Sequence, residues 1–155
     1  MESIVRYRRR MRALVQRCSE AWVTSEGVEV GRIGPGLCCL VGVTHSDEQA
    51  MSTKMADKLW NLRIFDDQDG VMNLSVADTS KSLLLVSQFT LYGDTRKGRR
   101  PSYIEAARPE HAEPLFSAVV ESLRDRGANV ETGVFRTNMA VGLINDGPVT
   151  LSIEL

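Results

Sequence analysis

A chain of 155 residues, 43% hydrophobic and 25% charged, has the size and composition of one globular domain, able to bury about 68–70% of its unfolded surface. A formal net charge of −1 excludes a protein that coats nucleic acid non-specifically, yet leaves room for recognition of one RNA end by a local basic patch. No apolar run approaches the roughly 20 residues that span a bilayer, and no apolar segment follows the early arginines, so neither a membrane span nor a secretory signal is expected.

The first ten residues carry Arg6, Arg8, Arg9 and Arg10. They read as a basic, disordered extension, with one domain over residues 11–155. Residues 11–18 alternate as a first strand. A polar connection through Trp22, Val23 and Thr24 and a turn at Ser25-Glu26-Gly27 lead to a strand over 28–33, forming a hairpin. Gly34-Pro35-Gly36 is a turn, and residues 37–43 are short, apolar and β-leaning, as in a strand buried on both faces. Cys18, Cys38 and Cys39 are an odd count in apolar contexts. Reduced core thiols and a cytoplasmic setting are expected, not a disulfide framework.

Ser46 or Asp47 is placed to cap a helix on which Met51, Met55, Leu59 and Leu62 share one face. Residues 63–65 read as a short strand. The acidic run 66–70 lacks the later bidentate Glu of a calcium loop and reads as a solvated turn. Residues 83–89 form the best central strand, and 92–103 a basic loop without apolar period. A second helix runs over 109–126 with Leu115, Phe116, Val119, Val120 and Leu123 on one face. Pro114 must fall within its first turns, and Gly127 ends it. Strands over 129–132, 139–144 and 149–153 complete the chain. Seven or eight strands, many joined by hairpins, with two main helices imply a single α+β domain: a largely antiparallel sheet or open β-barrel.

Familiar catalytic patterns are missing. The chain has no Ser-His-Asp order, no metal-ligand spacing and no phosphate loop. His45 and His111 sit at predicted helix starts without an evident orienting partner, so they read as surface or capping residues rather than general bases. Gln88 and Thr90 are polar residues at the end of a central strand, a common place for a ligand pocket. As a nucleophile, Thr90 would need a base. Gly147-Pro148 reads as a tight turn between two strands. A cis peptide there would aim two neighbouring carbonyls the same way, and the sequence leaves the isomer open. Arg96, Lys97, Arg99 and Arg100 surround Gly98 in a segment that is either a solvated face or a phosphate contact.

Taken jointly and in order, five segments resemble the bacterial D-aminoacyl-tRNA deacylase family: M-R-A-L-V-Q-R at 11–17, K-L-W-N-L-R at 58–63, S-Q-F-T-L at 87–91, K-G-R-R-P at 97–101 and N-D-G-P-V-T at 145–150. The resemblance covers residues 11–155. It implies a homodimer with the active site at the subunit interface, no metal and no cofactor. Its implied substrates are D-aminoacyl-tRNA and glycyl-tRNA, the glycine being mischarged on an alanine tRNA. The catalytic segment would be Ser87, Gln88, Phe89 and Thr90, whose backbone N–H groups polarise the ester carbonyl while the substrate's own 2′-OH helps to activate water. Phe135, Met139 and Asn145 would line the pocket. Gly147 and Pro148, as a cis pair, would enter the partner's pocket and occupy the space an L side chain needs. Apart from the resemblance, the basic residues Arg96, Lys97, Arg99 and Arg100 are candidate tRNA contacts, and Arg136, where the chain departs from the family, is a candidate for an added phosphate contact.

One segment departs from the family pattern. Where the family usually reads G-V/K-F-G-A-x-M, this chain has G-V-F-R-T-N-M at 133–139. Arg136 and Thr137 replace two small residues, so either the loop opens to keep Arg136 in solvent or the pocket is narrowed or charged. Two rival readings accompany the deacylase: a tRNA-binding module of the same fold with impaired catalysis, and a threonine-dependent hydrolase of a small ester.

Overall fold

The structure, a computed structural model, describes residues 10–155. The extension expected at 1–10 therefore lies, Arg10 apart, outside the described residues. The chain runs β1 (Arg12–Ser25), β2 (Val28–Ile33), β3 (Gly36–Gly42), α1 (Gln49–Asn61), β4 (Phe65–Asp66), β5 (Met72–Leu74), α2 (Val76–Thr79), β6 (Ser82–Ser87), α3 (Pro109–Asp125), β7 (Val130–Thr132) and β8 (Met139–Glu154). A short 3-10 turn, Phe89–Tyr92, follows β6. The α+β expectation holds. The short strand expected at 63–65 is β4, shifted to Phe65–Asp66, whereas β5 and α2 have too short a period to be read from sequence.

β1 is longer than expected. The connection placed at residues 22–24 is strand, because Ala21 and Val23 continue the inward alternation of Ala13 and Val15. Its first half pairs with β3 and its second half with β2, while β8 runs antiparallel along its other edge. β6 lies between β3 and β7 and is parallel to both. The resulting order is β2-β1-β3-β6-β7. The sheet curls enough to bring Gly31 of β2 against the Thr132 carbonyl of β7.

The two apolar strands β3 and β6 are buried on both faces, as their unbroken hydrophobic runs require. Leu37, Cys39, Val41, Leu83 and Leu85 pack beneath α1 and α3, against Met55, Leu59, Phe116 and Val119. Cys38, Leu84 and Val86 face the inside of the curl with Cys18, Ala21, Val23 and Ile33. The three cysteines are free and buried. Burial pushes the Cys18 thiol up to about 11 and Cys38 up to about 12, so neither is a nucleophile at neutral pH.

Helix ends show where local rules were overridden. Glu48, not Ser46 or Asp47, is the N-cap of α1, and no side-chain hydrogen bond caps it. The buried Asp47 carboxylate instead accepts from the N–H groups of Met11 and Thr44, both at 2.8 Å. It ties the start of β1 to the exit of β3. At the other end of the helical layer the expectation holds. Gly127 N–H reaches the Arg124 carbonyl at 2.9 Å and Ala128 N–H reaches that of Leu123 at 3.1 Å, closing α3. Pro114 lies in the second turn of α3 with its ring exposed.

The last two expected strands are one. β8 pairs Thr150 with Gln16 and then Asn145 with Cys18, so residues 146–149 bulge out opposite Arg17. The Gly-Pro pair therefore sits in a bulge of a continuous strand and not in a hairpin. The reason is β1, whose unbroken edge templates both halves.

Candidate active site

β6 ends at Ser87, and the chain turns there beside the end of β3. Gly42 makes this close approach possible: a Cβ on it would lie 2.8 Å from the Tyr92 ring and 3.1 Å from the Gln88 carbonyl. Gln88 N–H still donates to the Val41 carbonyl at 2.8 Å, after which the backbone enters the 3-10 turn. Phe89 thus leaves the predicted central strand. Phe89 and Thr90 open that turn, so their N–H groups have no carbonyl of its ladder to bond.

Ser87, Gln88 and Phe89 border a cavity of about 600 Å³ at the carboxyl end of the parallel strands. Phe135, Arg136, Thr137 and Met139 also line it, as do Ala107 before α3 and Pro109 and Ala112 in its first turn. Among the described residues, no histidine and no carboxylate lines it. His45 Nε2 instead meets the Ile104 carbonyl at 2.6 Å, and His111 Nε2 meets that of Asp47 at 2.9 Å. Both histidines are structural ties. Thr90 is exposed and outside the lining, its hydroxyl accepting a hydrogen bond from Gln88 Nε2.

A residue unremarked in the sequence completes the mouth. Tyr103 lines the cavity and meets Phe89 edge to face, with ring centroids 5.3 Å apart. Both rings are exposed, 41% and 56%, and their planes stand 74° apart, so the mouth presents the face of one ring beside the edge of the other. Its position at the end of the basic loop gave no periodic signal.

The Gly147–Pro148 peptide is cis. Both residues are exposed, and neither lines the cavity. Their bulge is held from two sides. Asn145 Oδ1 accepts from Val149 N–H at 2.7 Å while its Nδ2 donates to Thr150 Oγ1 at 2.8 Å. The Asn145 side chain is thus spent on the bulge, away from the cavity lining. From beneath, the buried Arg17 donates from Nε to the Asp146 carbonyl at 2.9 Å and from Nη1 to the Ile64 carbonyl at 2.8 Å. Asp66 and Asp146 carboxylates lie 3.5 and 3.7 Å from its guanidinium. A Cβ at Gly147, where φ is +132°, would come within 2.9 Å of Arg17 Nη2. Glycine is what lets the arginine close beneath the bulge.

The departing segment forms a β-turn between β7 and β8. Thr137 N–H faces the Val134 carbonyl at 3.4 Å, and the Thr137 hydroxyl donates to the same carbonyl at 2.8 Å. Ser25 Oγ donates to Thr137 Oγ1 at 2.6 Å. Arg136 takes the turn's third position with φ of +64°, where glycine fits best and other residues pay about 1–2 kcal/mol. The turn stays closed, and Arg136 brings charge to the cavity rim. In the basic loop, Arg96 is held by Asp94 at 2.8 Å, while Arg96, Lys97, Arg99 and Arg100 are all exposed and outside the cavity lining.

Comparison with known proteins agrees with this geometry. A family model described as D-Tyr-tRNA(Tyr) deacylase matches residues 14–154. The D-aminoacyl-tRNA deacylases of Geobacillus sp. (strain WCH70) and Brevibacillus brevis are each 56% identical over 144 residues, covering 93% of this chain and 95% and 99% of theirs. Among solved structures, the c-Myc DNA Unwinding Element Binding Protein superposes with a TM-score of 0.87 at 38% identity, covering 93% of this chain and 98% of that one. A probable eukaryotic D-amino acid tRNA deacylase shares the fold, with a TM-score of 0.81 at 16% identity over 94% of this chain and 99% of that one. With its curled sheet, its cavity beyond Ser87 and a match over nearly its whole length, the chain belongs to the D-Tyr-tRNA(Tyr) deacylase family.

Proposed function

We propose that this protein is a cytoplasmic, metal-independent, homodimeric hydrolase that removes D-amino acids, and glycine mischarged on an alanine tRNA, from the tRNA 3′ adenosine. One observation carries the reading: the cavity at the end of β6 is bordered by Ser87, Gln88 and Phe89, with no histidine or carboxylate among the described residues that line it. An aminoacyl ester is already activated, so it needs a polarised carbonyl and a placed water more than a strong base. Backbone N–H groups of the 87–90 segment polarise the carbonyl. The terminal 2′-OH of the substrate assists the water. Water oxygen bonds to the carbonyl carbon, the ester C–O bond breaks, and the 3′ oxygen leaves carrying a proton.

Selectivity comes from the second subunit. The exposed Gly147–Pro148 bulge is rigidly held yet serves no purpose in its own cavity. Ile144 and Leu151, on either side of the bulge in β8, are 51% and 38% exposed and offer apolar contact to a second copy. Docked there, the bulge occupies the space of an L side chain and leaves D substrates and glycine room. Such exclusion separates substrates more sharply than the roughly 10–200-fold that one methylene in an apolar pocket provides. Arg96, Lys97, Arg99 and Arg100 then guide the acceptor stem.

Incubation with D-tyrosyl-tRNA and with a simple D-tyrosine ester lacking tRNA tests the assignment. The reading requires many turnovers on the tRNA ester and none on the free ester. Stoichiometric binding without turnover would instead favour the tRNA-binding module, and hydrolysis of the free ester would favour a small-ester hydrolase.

A further inference from the structure

Arg136 is the single charged side chain among the described residues that line the cavity, and it is exposed at the rim. No described acid pairs with it. Its φ of +64° is one that glycine adopts without steric cost. The hydrogen bonds of Thr137 to Val134 and Ser25 hold the turn closed, so the arginine is kept at the mouth. An unpaired cation at a disfavoured backbone position beside a cavity is arranged for an anion that arrives from outside.

The chemistry of that anion follows from the walls. Val43, Val86, Phe135, Met139 and Val141 are apolar, and a phosphodiester buried among them would lose its hydration without a partner. An aminoacyl-adenosine head in the cavity therefore leaves the phosphates of the RNA end at the rim. A guanidinium meets such a group through two parallel N–H···O bonds. We propose that Arg136 is a positioning residue that grips a phosphodiester of the tRNA 3′-terminal nucleotides while the ester lies in the cavity. This rests on the deacylase reading.

Steady-state kinetics of the wild type, Arg136→Gly and Arg136→Lys test it on D-tyrosyl-tRNA and on 3′-O-D-tyrosyl-adenosine, which has no phosphate. For Arg136→Gly, KM on the tRNA rises about tenfold with kcat within about twofold, and the salt slope of log KM shrinks by about 0.7. KM on the adenosine ester stays level, and Arg136→Lys restores part of the tRNA affinity. Equal losses on both substrates, or an unchanged salt slope, overturn the proposal. So does a wild-type preference for D-aspartyl- over D-asparaginyl-adenosine that vanishes in Arg136→Gly, since the guanidinium would then serve the amino acid's carboxylate. Failure of the wild type to cleave either D-tyrosyl ester would instead overturn the deacylase reading, a result distinct from selective loss in the variant.

Discussion

Arg17 donates from Nε to the backbone carbonyl of Asp146 at 2.9 Å, across the β1–β8 ladder and from a side chain that is almost wholly buried. The contact fixes the bulge that carries Gly147 and Pro148 to the core of the sheet. Nη1 of the same guanidinium reaches Ile64, beyond the end of α1. One arginine thus joins β1, the segment after α1 and the bulge.

Arg17→Met keeps an unbranched apolar stem and removes the donors, leaving the Ile64 and Asp146 carbonyls unpaired. The expected cost is about 2–3 kcal/mol, or roughly 4–12 °C in Tm for a domain of this size. Urea unfolding gives the first number. With the bulge loosened, L-tyrosyl-tRNA becomes a substrate while hydrolysis of the D form falls less than the discrimination does. An unchanged D-to-L ratio in a destabilised variant would show that Arg17 serves stability alone.

Thr90 lies outside the cavity lining, with its hydroxyl engaged by Gln88. Thr90→Ala is therefore expected to retain kcat/KM on D-tyrosyl-tRNA within about threefold, under 1 kcal/mol of barrier. A drop beyond about a hundredfold, with circular dichroism and solution mass unchanged, would point to a covalent threonine.

These roles were unequally legible in the sequence. The unbroken apolar runs of β3 and β6 announced strands covered on both faces, and they are. Asp47 looked like a helix cap because capping is a local rule, but its carboxylate is captured by Met11 N–H, 36 residues away. The Gly147-Pro148 pair looked like a hairpin turn because nothing local shows that β1 pairs with both flanks. Arg17 could not be singled out, since its acceptors lie 47 and 129 residues along the chain. Arg136 was visible as a departure, while the positive φ that explains why a glycine suits the position appears only in the fold.

Selection by excluded volume has a consequence for the smallest substrate. Glycine has no side chain for the bulge to meet, so glycyl-tRNA should be hydrolysed at a rate closer to that of a D-aminoacyl-tRNA than of an L-aminoacyl-tRNA. Single-turnover release of labelled glycine measures it. Resistance equal to that of L-alanyl-tRNA would contradict the exclusion account.

The thiols give a pH-dependent signature of the core. Cys18 and Cys38 are raised by burial, to about 11 and about 12, above the thiol's ordinary 9.0, and complete burial also raises Cys39 well above that value. The folded state therefore favours the protonated thiols. Their contribution is fully present below pH 9 and is lost as pH rises through the folded values. Unfolding free energy should be level in this respect at pH 7–8 and fall from pH 9 upward. A disulfide reagent at pH 8 should label none of the three thiols in the native protein and all three in denaturant.

The most direct test of the central claim is parallel deacylation of D-tyrosyl-tRNA and L-tyrosyl-tRNA by chelator-treated protein. The account predicts rapid release of tyrosine from the D form alone, unaffected by the chelator. Comparable release from both forms would contradict selection by the Gly147–Pro148 bulge, and release from neither by the folded protein would contradict the enzyme itself.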